Sequence, residues 1–165
     1  MKKVFINLII IFILLVVLKS VLSSFILAPS AFSDSYIYSK IGRSVFFTGE
    51  LSVHGINVDH LPLYPIILSL SYMFNDMNNV YLAMKIINVF LSSLIIFPAF
   101  FLAKEFLNTK KSFLFSILIS VLPSNFAFSP YIMTENLFYP LFLTSIYFIY
   151  KSFKENKLRY DLLAS

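Results

Sequence analysis

The run VFINLIIIFILLVVLKSVLSSFILA, residues 4–28, carries one charge, Lys19, and follows directly on Lys2 and Lys3. At ~1.5 Å per residue, a helix of this length crosses the ~30 Å hydrocarbon core of a bilayer with residues to spare. In water the same rod would need an apolar partner on almost every side. Further apolar runs of comparable length occupy 80–102, 113–133 and 136–153, separated by AKEFLNTKKS and SPYIMTEN. The expectation is an all-α integral membrane protein of about four transmembrane helices, with juxtamembrane helices at the outer face, forming one module over 1–165. A cleaved signal peptide shares the basic start of the first run, but that run is long for one and its cleavage-site pattern is poor.

Composition agrees with a lipid environment. Hydrophobic residues make up 59% and charged residues 13%, which excludes disorder and a soluble catalytic domain. Cysteine is absent, so neither disulfides nor thiolate chemistry arise. A net charge of +5 raises the question of nucleic acid. The bases flank apolar runs instead of forming a stripe, as topology signals do, and no nucleic-acid partner is expected.

One segment tests the topology. LPLYPIILSLSYMF, residues 61–74, reaches only ~21 Å as a helix. If it lies in the interface, Lys2, Lys3, Lys104, Lys110, Lys111, Lys151, Lys154, Lys157 and Arg159 share one side, and the positive-inside rule makes that side cytoplasmic. Asp34, Glu50, Asp59, Asp76 and Glu135 then collect outside with both histidines, leaving Glu105, Glu155 and Asp161 inside. Lys19 would snorkel to the outer headgroups or pair with an acid. The terminal NKLRYDLLAS looks like a basic flank opening another apolar helix, so a truncated or partial module is expected.

The polar outer segment, 29–79, holds most of the candidate chemistry. DSYIYSKIGRSVFFTGEL has apolar Ile37, Ile41, Val45 and Phe46 with Lys40 and Arg43 on other faces, an amphipathic interfacial helix. Asp34 at its start is either a cap or a general base toward an acceptor hydroxyl. Glu135, beside the potential cap Thr134 at the start of the fourth span, is either a capping residue or part of a site. His54, Asp59 and His60 match no strong zinc spacing and suit a solvated loop better. Lys85, a turn or two inside the second span, either snorkels or meets a lipid phosphate, as Arg43 and Lys40 could from the surface.

In order along the chain stand a span, D-x-Y at Asp34 to Tyr36, LPLYP at 61–65, NVYLAMKIINVFLSSLIIFPAFFLAKEF, a basic loop and SVLPSNFAFSPYIMTENLFYPLFL. This series resembles the N-terminal part of the C-type glycosyltransferase superfamily, in the branch of protein mannosyltransferases and aminoarabinose transferases. The resemblance implies transfer of a sugar from a polyprenyl-phosphate donor to a glycan, lipid or protein acceptor at the outer face of a prokaryotic cytoplasmic membrane. It implies Asp34 as base and Glu135 as the second acid, holding substrate or a divalent metal ion, Mg or Mn. Tyr64, in the P-L-Y-P element, would shape the substrate loop, with Lys85 and Arg43 toward the phosphate. The sequence departs from the pattern at Ser35, where many relatives have a second acid, and at Leu61, where they have a proline. The rival class is a non-catalytic membrane scaffold or transporter fragment; apart from Pro98 and Pro123, the span interiors offer little of the polarity transporters show.

Overall fold

A computed structural model describes residues 2–26, 33–59, 61–155 and 162–163 of the chain. His60, the last residues of the first apolar run, Lys157, Arg159 and Asp161 lie outside these. The described fold is mostly helical. Its elements are α1 (Lys2–Ser24), α2 (Ser33–Thr48), β1 (Ser52–Val53), β2 (Ile56–Asn57), α3 (Leu63–Ser69, continued as a 3-10 turn Leu70–Met73), α4 (Met77–Ser93), α5 (Ile96–Lys104), α6 (Thr109–Ser120), α7 (Pro123–Phe128) and α8 (Glu135–Glu155).

Two helices are long and apolar enough to cross a membrane: α1, and α4 with α5 as one rod, Met77–Lys104. Their 23 and 28 residues correspond to about 34 and 42 Å. The rod is dented at Leu94 and Ile95. Pro98 has no N–H for the Leu94 carbonyl, which takes the Phe97 amide instead at 3.1 Å. α8 matches the fourth expected span closely, although Tyr, Thr, Ser and Pro140 dilute its hydropathy.

The third expected span, 113–133, is not one helix. α6 stops at Ser120, Leu122 is extended (φ −51°, ψ 139°), and Pro123 opens the separate α7. The cause is local: a residue before proline is pushed out of the α region, while proline itself suits the first turn of a new helix. At 12 residues α6 is about 18 Å long.

Helix directions follow from named contacts. Ser23 of α1 meets Lys85 of α4, Lys19 meets Ser92, and Leu8 and Leu15 pack with Ile96 and Phe100, so α1 runs antiparallel to α4 and α5. Asn136 meets Asn88 and Lys151 meets Glu105, so α8 runs parallel to that rod. Phe113 of α6 packs on Phe100 with ring centres 4.6 Å apart. The buried side of α6 is Ser112, Ser116 and Ser120, one small residue per turn, and this allows close approach to its neighbour. One end of the bundle therefore carries Lys2, Lys3, Lys104, Lys110, Lys111, Lys151 and Lys154 with Glu105 and Glu155. The other carries Asp34, Glu50, Asp59, Asp76 and Glu135, with the bases Lys40 and Arg43 of α2.

Residues 33–74 form a cap on the acidic end and do not thread through the bundle. α2 packs on α3, where Gly42 comes so close that an added Cβ would sit 3.3 Å from the Pro65 carbonyl oxygen. Tyr72 Oη donates to Ser39 O (2.8 Å), and Ser35 Oγ donates to Ile132 O (2.8 Å), fixing α2 at both edges. A two-stranded hairpin, unanticipated from the sequence, turns at His54 and Gly55. Both have positive φ, 52° and 79°, as the twist of a tight two-residue hairpin requires. Ser44 and Ser52 hydroxyls, 2.7 Å apart, hold it against α2.

At the basic end Lys151 lies 2.9 Å and Lys154 2.8 Å from the Glu105 carboxylate, joining α8 to the end of α5. Hydrogen bonds from both lysines hold the Glu105 carboxyl below its ordinary value. Because the folded value is the lower one, the contribution to stability is full above the ordinary glutamate range and is lost as falling pH carries Glu105 through its lowered pKa. Melting temperatures of parent and Glu105→Gln are thus expected to differ at neutral pH and converge in acid; a gap that widens in acid would refute the assignment. Gly42→Leu is expected to force α2 off α3 at a cost of about 1–3 kcal/mol, read as a lower melting temperature in detergent.

Candidate functional site

A cleft of about 780 Å³ opens at the acidic end between the start of α8, the start of α3 and α2. Its polar lining comes from Glu135, Asp59, Thr134, Tyr38, Tyr64 and Tyr139, and its apolar wall from Pro62 and leucines with Phe138. Both charged side chains that line it are carboxylates. Glu135 stands in the first turn of α8, where the helix dipole favours negative charge, and Thr134 Oγ1 lies 3.4 Å from its Oε2. The Thr134 carbonyl accepts the amides of Leu137 and Phe138, so the chain turns into helix at this residue as the capping pattern implied.

Tyr64 forms the floor. It is 2% exposed, donates its hydroxyl to Asn88 Oδ1 at 2.7 Å, and meets the edge of Tyr38 at 5.3 Å and 86°. Burial drives its phenol pKa up, so it remains a protonated donor. Asp34 is exposed in the first turn of α2. It precedes Tyr38 by one turn of α2 and is not part of the cleft lining.

The other sequence candidates lie elsewhere. Lys85 is buried against the end of α1, its Nζ donating to Ser23 O and Ile26 O, both at 2.9 Å. It binds two carbonyls at the end of α1, where the negative pole of the helix favours a cation, and it does not reach the cleft. Arg43 is exposed, with its guanidinium 5.9 Å from the Phe47 ring centre, and Lys40 covers Tyr36 at 5.3 Å. His54 Nε2 is 3.0 Å from Tyr36 Oη. Asp59, expected in a solvated loop, lines the cleft.

The expectation for Lys19 is overturned. It is 1% exposed and donates to Ser92 Oγ (3.1 Å) and Asn125 Oδ1 (3.5 Å), neither snorkelling nor meeting an acid among the described residues. Position explains this: Lys19 lies on the face of α1 that packs against α4, two turns from any aqueous end. The span interiors are also more polar than expected, with Asn88, Ser92, Ser93, Asn125 and Asn136 all buried. Asparagine inside an apolar run was the available signal, and it is a stronger one than serine because an amide has four hydrogen-bonding sites to satisfy.

The resemblance brings with it a divalent ion at Glu135. Among the described residues no three His, Asp or Glu side chains converge to hold a metal. Glu135 shares the open cleft with Asp59 and a threonine hydroxyl, which would not cage a dehydrated ion; a magnesium ion that keeps its waters needs only one or two carboxylates and a substrate phosphate, and Glu135 with Asp59 would supply the carboxylates.

Comparison with protein-family models, with curated proteins and with solved structures gives no match.

The capping geometry gives Lys85 a checkable role. Lys85→Met is expected to remove the hydrogen bonds to the Ser23 and Ile26 carbonyls and to lower stability by about 1–3 kcal/mol, with faster amide exchange confined to the last turn of α1. Unchanged exchange there would show that the lysine serves something other than the helix end.

Proposed function

We propose that this chain is the N-terminal membrane module of a C-type glycosyltransferase, moving a sugar from a polyprenyl-phosphate donor to a glycan, lipid or protein hydroxyl at the outer membrane face. The observation that carries the reading is the cleft at the acidic end, where Glu135, Asp59, Tyr64 and Tyr38 surround one space, with Asp34 one helical turn before Tyr38. Two acids distant in sequence, Asp34 and Glu135, come to the same end of the bundle.

In this reading α1, α4 with α5, α6 with α7, and α8 make four passes of a prokaryotic cytoplasmic membrane, with the N-terminus cytoplasmic. α2, the hairpin and α3 lie in the outer interface. Support comes from the segregation of bases and acids to opposite ends and from α1, whose Phe5, Ile9, Ile13, Val17 and Val21 are exposed as lipid-facing residues would be.

The chemistry follows from the charges. Asp34 takes the proton of the acceptor hydroxyl as its oxygen attacks the anomeric carbon. The bond from that carbon to the phosphate oxygen breaks, and the phosphate leaves on the lipid with the electron pair. A cleft lined by carboxylates disfavours phosphate and suits hydroxyl groups, which Glu135 and Asp59 can accept from. The phosphate then lies outside the cleft, toward the exposed Arg43. Direct attack inverts the anomeric carbon.

A transporter fragment is the second reading, and the break between α6 and α7 together with the buried polar residues favours it. Asp34→Asn separates the two. In membranes carrying the full natural polypeptide, transfer from a radiolabelled polyprenyl-phosphate sugar is expected to fall at least ~100-fold with membrane insertion intact. Retained turnover would sink the base assignment, and absence of any saturable donor binding by the parent would favour the transporter.

A further inference from the structure

Asn88 touches neither acid, yet it is where the two sides of the cleft meet. It is 0% exposed, and its Oδ1 receives two donors from separate elements: Tyr64 Oη of α3 at 2.7 Å and Asn136 Nδ2 of α8 at 3.2 Å. Its own Nδ2 donates to Met84 O at 2.9 Å, which fixes the rotamer on α4. Asn136, also buried, lies within donating distance of Phe128 O (3.2 Å) and Tyr131 O (2.9 Å). The same amide therefore holds the segment that leads into Thr134 and Glu135. On the other side, the ring of Tyr64 abuts Tyr38, one turn from Asp34. A series of contacts runs from Asn136, the neighbour of Glu135 in the chain, through Asn88 and Tyr64 to Tyr38, which lies one helical turn from Asp34.

We infer that Asn88 is a positioning residue that sets the separation of Asp34 and Glu135 across the cleft, an inference whose chemical consequence rests on the glycosyltransferase reading. The physical case is the convergence. Two buried donors from α3 and α8 share one acceptor, and each would lose a partner of fixed place if that oxygen were removed. Both flanks are rigid, since Tyr64 is seated among Leu68, Met84 and Ile132, and Asn136 opens a 21-residue helix. A displacement at Asn88 is therefore passed to both acids. Where a base must meet an acceptor hydroxyl in line with a departing phosphate, a misplacement of about 1 Å costs on the order of 100-fold in rate.

The chain has no cysteine, so nitroxide labels on Asp34→Cys and Glu135→Cys report their separation without competing sites. Electron paramagnetic resonance of the labelled chain in nanodiscs is expected to show one narrow separation, broadened or shifted by Asn88→Leu. Since Asn88→Leu also orphans the buried Tyr64 hydroxyl and endangers folding, the deciding variant is Tyr64→Phe/Asn88→Leu. It replaces both members of that hydrogen bond by apolar groups while Asn136 keeps the Phe128 and Tyr131 carbonyls, and it is expected to keep the parental melting temperature. A parental, narrow separation in that double variant overturns the inference. In the full natural polypeptide, the same double variant is expected to lower kcat about 100-fold with KM for the lipid donor unchanged. Parental kcat would likewise overturn it. A parent with no transferase activity removes the glycosyltransferase reading alone, and the label separation still decides the role of Asn88.

Discussion

A polar group buried in this bundle has no water to turn to, and the architecture is organised by how each such group is answered. Lys85 binds two carbonyls at the end of α1. Lys19 reaches Ser92 and Asn125, tying α7 to α1 and α4. The Asn88 amide joins α3, α4 and α8. Apolar packing supplies cohesion but little direction, since the contact surfaces are mostly interchangeable Leu, Ile and Phe. These few amides and amines select one register among many of similar packing quality, because a shift of even one turn would leave a buried donor without an acceptor. Ser23 Oγ is the described exception, buried with no hydrogen-bond partner.

Much of the architecture was legible in the sequence because its signals are local. The apolar runs and their lysine flanks placed α1, the α4–α5 rod and α8 to within a few residues. Charge balance, weighed against the shortness of 61–74, put α3 at one end of the bundle, where the structure has it packed on α2. Asp76 and Asn108 cap α4 and α6 by accepting amides three residues on, as their residue types favour. The break before Pro123 was also written locally, but hydropathy averages over it and reports one continuous run.

What could not be read were the pairings. Asn88 and Asn136 are 48 positions apart, and Lys19 and Asn125 are 106 apart. No periodicity links them. Lys85 looked like a phosphate ligand because a cation inside a span calls for an anion, and the end of α1, with its negative pole, was the nearer one. Of the cleft, Glu135 and Tyr64 were identified beforehand; Tyr38, Tyr139 and Phe138 were not singled out. Their significance depends on which of many exposed rings face one another, a property of tertiary placement.

α8 is clamped at both ends and loosely held between. Glu105 grips Lys151 and Lys154 near one end, and Asn136 is tethered at the other, while the stretch beyond Pro140 is only partly covered. Pro140 lacks the N–H that would bond the Asn136 carbonyl, so the helix is weakest one turn inside its anchored start. Leu137, Phe138, Tyr139 and Leu141 straddle that notch and form the cleft wall, so the one gap in the backbone ladder of α8 falls where the helix faces the cleft.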